Sequence, residues 1–160
     1  MQQWVTQIAD KLQQRDWMLA TAESCTGGWV ARELTALAGS SNWFDCGFVT
    51  YSNTAKHRML GVPVELIERE GAVSEAVVLS MAEGAVRNSD ARIAVSISGV
   101  AGPGGGSPEK PVGTVWFGWA CEGMPTRAER HLLDGDRESV RRQAVEIALR
   151  GIVSCLDGAV

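Results

Sequence analysis

The sequence predicts an α/β protein, a three-layer α/β/α sandwich around a mixed, mainly parallel sheet. Three observations lead there. Short apolar β-type runs alternate with segments of helical period over the first hundred residues, the pattern of strands joined by helices. Two late runs, residues 113–121 and 127–133, lie close enough to pair as a hairpin and add antiparallel strands. A chain of 160 residues, 45% apolar and 21% charged, has the size and mix of a single globular core.

Residues 4–16 carry Trp4, Ile8 and Leu12 at helical spacing and form the first predicted helix. Residues 17–22 are an apolar run suited to a buried strand. Residues 29–37 read as a helix, so the intervening Glu23-Ser24-Cys25-Thr26-Gly27-Gly28 sits at a strand-to-helix junction. A second strand over 44–51 hands over to a helix over 53–60, stopped by Gly61 and Pro63, and to a short helix over 63–70. Ser74 offers an N-cap for the apolar pattern Val77, Val78, Met81 and Ala85. Residues 92–98 are strongly β-type and run into a glycine-rich loop over 99–111. After the hairpin, Asp134 to Asp136 punctuate, and residues 137–156 form a long amphipathic helix. Ligands of open α/β sheets bind beyond the carboxyl ends of strands. Three marked loops are expected there, after Ala22, Tyr51 and Ser98.

Composition excludes several classes. No apolar run reaches the roughly 18 residues of a membrane span, and the N-terminus lacks the basic and apolar regions of a signal peptide. The expectation is a cytoplasmic protein with no membrane partner. A net charge of −4 without a basic stripe argues against nucleic acid as a partner, although a local basic pocket for one phosphate remains open. The four cysteines match no zinc or CxxC spacing, and the two histidines stand far apart, so neither a metal nor a cofactor is expected. Six tryptophans are many for this length. Core is their usual home, and some would suit the interface of a homo-oligomer, a dimer being favoured.

Four motifs carry possible chemistry. Ser24 heads a helix beside Thr26, Gly27 and Gly28, where backbone N–H groups could hold an oxyanion or a phosphate; the same pattern also serves as a plain N-cap. Cys25 is a rival nucleophile that would need a base and exposure. Tyr51, the only tyrosine, stands where a strand meets a helix, with Lys56 about one turn beyond Ser52. Ser98, Gly99 and Gly102 open a glycine-rich loop that resembles neither a Walker A loop nor a dinucleotide fingerprint, and that reads equally as a surface loop. Arg137 and Arg141, four apart at a helix start, share one face and would suit a phosphate or a solvated surface. Gathered at strand ends, the motifs would furnish one pocket with a hydroxyl, an amine, a phenol, a glycine cradle and guanidinium groups.

At these residues the sequence resembles the CinA C-terminal domain family, which includes stand-alone nicotinamide mononucleotide deamidases. The resemblance rests on the Ala22–Gly28 stretch, on Tyr51-Ser52-Asn53 with Lys56, on Leu60-Gly61-Val62, on Gly71-Ala72-Val73-Ser74, on the loop from Ser98 to Gly113, and on Gly135-Asp136-Arg137 with Val140-Arg141. It spans the chain, implying one domain over residues 1–160 in the single-domain form. It implies hydrolysis of the nicotinamide mononucleotide carboxamide to nicotinate mononucleotide and ammonia, with Ser24 as nucleophile, Lys56 as base and Tyr51 assisting. The 98–102 loop and the arginines would hold the substrate. A lysine with a pKa near 10.4 costs roughly 4–5 kcal/mol to deprotonate at pH 7, so burial or a nearby cation must lower it. The competing reading is a non-catalytic nucleotide-binding or regulatory module, in which the same loops bind phosphate and the serine only caps a helix.

Overall fold

The computed structural model describes residues 1–158; Ala159 and Val160, the last two of the expected 1–160 domain, lie outside the described residues. The elements run α1 (Gln2–Arg15), β1 (Leu19–Glu23), α2 (Trp29–Thr35), a single 3-10 turn (Ser40–Asn42), β2 (Phe44–Val49), α3 (Asn53–Leu60), α4 (Val64–Glu70), α5 (Glu75–Arg87), β3 (Ile93–Gly99), β4 (Thr114–Cys121), β5 (Arg127–Leu132) and α6 (Arg137–Gly158). The strands form one sheet in the order β2-β1-β3-β4-β5. β1 pairs in parallel with both β2 and β3, while β3–β4 and β4–β5 are antiparallel. Four strands therefore point one way, and β4 alone is reversed.

Each expected element is present, with shifted ends. The first strand begins at Leu19 rather than Trp17, because Asp16 closes α1 in the left-handed region (φ 53°) and the chain needs Trp17 and Met18 to turn toward the sheet. The second strand ends at Val49, where Thr50 N–H still donates to the Glu23 carbonyl (2.8 Å) before the chain bends into α3. The helix after Gly28 stops at Thr35, short of Leu37.

Residues 19 and 20 of β1 open the two cores. Leu19 packs with Val5, Ile8 and Leu12 of α1 and with Leu149 and Ile152 of α6 on one face. Ala20 and Ala22 pack with Leu60, Val77 and Met81 from the α3–α5 layer on the other. Strand alternation thus sends odd residues of β1 toward α1, α2 and α6, and even residues toward α3 to α5. Each fully buried aliphatic side chain contributes about 1.5–3 kcal/mol, and both faces are covered by such side chains. The α3–α5 layer is tight: at Gly84 a Cβ would collide with the Leu60 carbonyl, so α5 presses directly on the end of α3. The chain leaves β1 toward β2 on one side and returns to β3 on the other. The crevice at the carboxyl end of β1 is therefore the topological switch point of the sheet.

Candidate active site

Ser24 follows β1 directly. Its N–H donates to the Ile97 carbonyl of β3 (2.9 Å), and its carbonyl accepts from Gly27 N–H (3.0 Å), so the turn is tied to the sheet at its first residue. Gly27 (φ 60°) and Gly28 (φ 94°) carry the backbone through the left-handed region into α2. Behind the turn lies Glu23, wholly buried. Its Oε1 accepts from Thr26 Oγ1 (2.7 Å) and Val30 N–H (2.9 Å), and its Oε2 accepts from Ala31 N–H (3.0 Å). The start of α2 was expected to offer free N–H groups to an oxyanion or phosphate. Instead, the chain's own carboxylate fills that position, as the helix dipole favours. In the turn itself, Gly27 and Trp29 spend their N–H groups on turn carbonyls. The N–H groups of Cys25, Thr26 and Gly28 donate to no backbone carbonyl among the described residues.

Lys56 lies in the first turn of α3, whose N-cap Ser52 accepts from Ala55 N–H (3.0 Å). Helical side chains lean toward the N-terminus, which carries the Lys56 amine back over the residues preceding the helix. There Nζ donates to the carbonyls of Thr50 (2.8 Å) and Tyr51 (3.3 Å) and lies 3.0 Å from Ser24 Oγ. Lys56 is 1% exposed and no carboxylate pairs with it among the described residues. Burial pushes its amine below the ordinary lysine value of 10.5, opposed by the neighbouring Cys25 thiol. A charged amine donates three hydrogen bonds here. A neutral one donates two, to the carbonyls, and turns its lone pair to Ser24 Oγ.

Cys25 sits beside this pair, yet its chemistry differs. Burial raises its thiol to about 11, with the Glu23 charge adding to the rise. It is held as a thiol near neutral pH and lacks the thiolate a nucleophile needs. His57 turns away and bonds the Val62 carbonyl through Nδ1 (2.9 Å), and His131 lies on β5 beside Phe117. Neither supplies a base to Ser24.

Ser24, Tyr51, Lys56, Ser98, Gly99 and Arg137 line one cavity of about 220 Å³. Its far wall comes from the segment before α5: the Ala72 carbonyl accepts from Ser98 Oγ (2.8 Å), and Ser74 caps α5 through Val77 N–H (3.4 Å). Arg137, the first residue of α6, donates to the Gly102 carbonyl (2.8 Å) and to the Tyr51 hydroxyl (3.1 Å), bridging the glycine loop and the β2–α3 junction. Tyr51 is 61% exposed, so its ring stands at the cavity mouth.

Other expected site residues stand one step back. Thr26 is buried against Glu23, Gly27 and Gly28 shape the turn, and Gly102 holds Arg137. Arg141 does not line the cavity: it donates to the carbonyls of Cys25 (3.0 Å) and Thr26 (3.1 Å) and lies 5.5 Å from the Trp29 ring centroid. Sequence reasoning named Asn53, Ala72 and Val73 only within motifs and gave them no role in the site, although they also line the cavity. It read Glu23 only as part of a motif, although a carboxylate closing an apolar strand before a helix was a signal. Among the described residues no group of three His, Cys, Asp or Glu is placed to hold a metal ion, and no helix is long and apolar enough to cross a membrane. A larger hollow of about 690 Å³ opens at the opposite end of the sheet, by Arg87, Arg92 and Met124, far from the serine and lysine.

Residues 1–156 match the CinA C-terminal domain. A relative from Escherichia coli K12, named nicotinamide-nucleotide amidohydrolase PncC, is 55% identical over 144 residues, which is 90% of this chain and 87% of that one. A Pseudomonas putida protein of the same name is 53% identical over 92% of both chains. The crystal structure of a competence damage-inducible protein A from Klebsiella pneumoniae superposes with a TM-score of 0.94 at 40% identity, covering 99% of this chain and 98% of that one.

Proposed function

The chain belongs to the CinA C-terminal domain family, and from that premise we propose that it hydrolyses the carboxamide of nicotinamide mononucleotide, with Ser24 as nucleophile and Lys56 as base. The observation that carries this reading is the buried Lys56 Nζ at 3.0 Å from Ser24 Oγ, with carbonyls rather than carboxylates as its other partners. Two relatives named nicotinamide-nucleotide amidohydrolases support the substrate class.

In the first half-reaction, neutral Lys56 takes the Ser24 proton as Oγ bonds to the amide carbon. The oxyanion is met by the Cys25 N–H, the backbone donor next to the nucleophile. Collapse breaks the C–N bond, and the proton held by Lys56 leaves with the departing ammonia. In the second half, Lys56 takes a proton from water, hydroxide adds to the ester carbon, and collapse returns that proton to Ser24 and frees the carboxylic acid, which gives its own proton to solvent and leaves as the carboxylate. The positively charged pyridinium ring disfavours an ammonium beside it, which adds to the effect of burial on Lys56.

Tyr51 stands at the mouth with its hydroxyl on Arg137, and no hydrogen bond links that hydroxyl to Ser24 or Lys56 among the described residues. Its part is therefore to stack on the pyridinium face, where a cation–ring contact contributes about 0.5–2 kcal/mol, rather than to relay a proton. Arg137 meets the phosphate by exchanging its Tyr51 and Gly102 partners for phosphate oxygens.

Ammonia release from nicotinamide mononucleotide by wild type and by Ser24→Ala, with a chelator present, tests the reading. Release by wild type alone is expected. Release by both proteins removes Ser24 as nucleophile. Release by neither supports a nucleotide-binding module.

A further inference from the structure

Glu23 is a fully buried acid placed immediately before the candidate nucleophile, and the chemistry proposed above leaves it unused. Its two oxygens take three hydrogen bonds, all from uncharged donors: Thr26 Oγ1 and the N–H groups of Val30 and Ala31. No lysine or arginine pairs with it among the described residues. These donors span the whole turn, from the residue two beyond Ser24 to the third residue of α2. Glu23 thus fastens the far side of the turn, while Ser24 N–H fastens the near side to Ile97.

The strand pleat gives this arrangement its direction. Odd residues of β1 face the α2 side and even ones the α3 side, so Glu23 and Ser24, adjacent in sequence, diverge. Ser24 turns to the Lys56 amine while Glu23 turns under α2. A carboxylate on the α3 side would hold the Lys56 amine charged and remove the base. Placed under α2, the same carboxylate meets the positive end of a helix and leaves Lys56 with neutral partners.

We infer that Glu23 is a positioning residue: its carboxylate, bonded to Thr26, Val30 and Ala31, holds the turn that aims Ser24 Oγ at Lys56. The role rests on the acyl-transfer reading above, and it adds a residue that acts on the nucleophile without touching substrate. Glu23→Gln is the informative variant. Both oxygens of Glu23 accept a backbone N–H, so whichever way the glutamine amide turns, its NH2 group faces a donor.

The experiment measures steady-state ammonia release from nicotinamide mononucleotide, the rate at which a fluorophosphonate labels Ser24, and thermal stability. Wild type, Glu23→Gln and Ser24→Ala are compared with Ser89→Ala. The last loses hydrogen bonds to Ala85 and Ala91 at the opposite end of the sheet and controls for plain destabilisation. Labelling forms an Oγ–P bond with loss of fluoride and needs no nucleotide. For Glu23→Gln, kcat falls between about tenfold and 10²-fold, the loss expected from a misaimed reacting group. Its KM stays close to wild type, and Ser24 labelling slows in parallel. Ser89→Ala loses stability and keeps both rates. Equal labelling and equal kcat in wild type and Glu23→Gln overturn the inference, as does a parallel loss of both rates in Ser89→Ala. Labelled wild type that releases no ammonia rejects the nicotinamide substrate and leaves Glu23 to be decided by labelling alone. Wild type that neither labels nor turns over overturns both readings.

Discussion

Replacing Lys56 by methionine keeps the length and burial of the side chain and deletes only the amine. In wild type that amine is 3.0 Å from Ser24 Oγ, and the cavity offers no substitute base. The other groups beside it are two backbone carbonyls and a thiol raised to about 11, while His57 faces the Val62 carbonyl. A positioned general base contributes about 10²- to 10⁴-fold, or about 2.7–5.4 kcal/mol at 1.36 kcal/mol per tenfold. With no replacement in reach, kcat of Lys56→Met should fall toward the larger figure. Methionine also leaves the Thr50 and Tyr51 carbonyls without their donor, at about 1–3 kcal/mol if they stay dry, while the cost of burying an amine disappears. The fold is therefore expected to survive, and a melting curve checks this. The assay is ammonia release across pH. Wild-type kcat/KM should climb as Lys56 loses its proton, through a pKa below 10.5, and Lys56→Met should lose that limb. A Lys56→Met enzyme within about threefold of wild type, less than 0.7 kcal/mol, refutes the base assignment.

The same depressed pKa couples to stability. Because the folded pKa lies below the unfolded value, the unfolded chain binds more protons between the two. The Lys56 contribution to stability is thus lowest below the folded pKa and rises with pH up to about 10.5; in urea titrations wild type should gain stability relative to Lys56→Met in that direction. Arg137→Ala removes the guanidinium shared by Gly102 and Tyr51; KM for the mononucleotide should rise about 10- to 100-fold, matching 1.5–3 kcal/mol for a charge-assisted bond, and the advantage of mononucleotide over nucleoside should vanish. Iodoacetamide at pH 7 should leave Cys25 unmodified, since its buried thiol is raised to about 11; peptide mass mapping reads this directly. Gly151→Ala should destabilise, although alanine is the better helix former by about 1 kcal/mol. A Cβ there would strike the Trp119 ring under α6, and overpacking costs about 1–3 kcal/mol; a stabilised variant by urea denaturation would contradict that packing.

Sequence and structure divide the account at the scale of one side chain. Local patterns written in the chain determined the elements: the helical spacing of Ile8 and Leu12, the Ser74 cap of α5 and the β-type run before Ser98 all lie where they were expected. They also placed the three loops at one edge of the sheet, because strands joined by helices end on the same side. That is why Ser24, Tyr51, Lys56, Ser98, Gly99 and Arg137 meet in one cavity. What the sequence left open is which of two neighbours does the chemistry and which holds the frame. Arg137 and Arg141 are one helical turn apart and alike in type, yet one lines the cavity and the other is bonded to the Cys25 and Thr26 carbonyls. Glu23 and Ser24 are adjacent, yet one caps α2 and the other faces Lys56. Those assignments depend on the pleat of β1, on the packing of α6 behind the turn and on the burial of an amine, all set by contacts between residues far apart in the chain. Spacing along the sequence brings such groups to the same end of the fold; only tertiary contacts, through desolvation and the competition for hydrogen-bond partners, decide what each one does there.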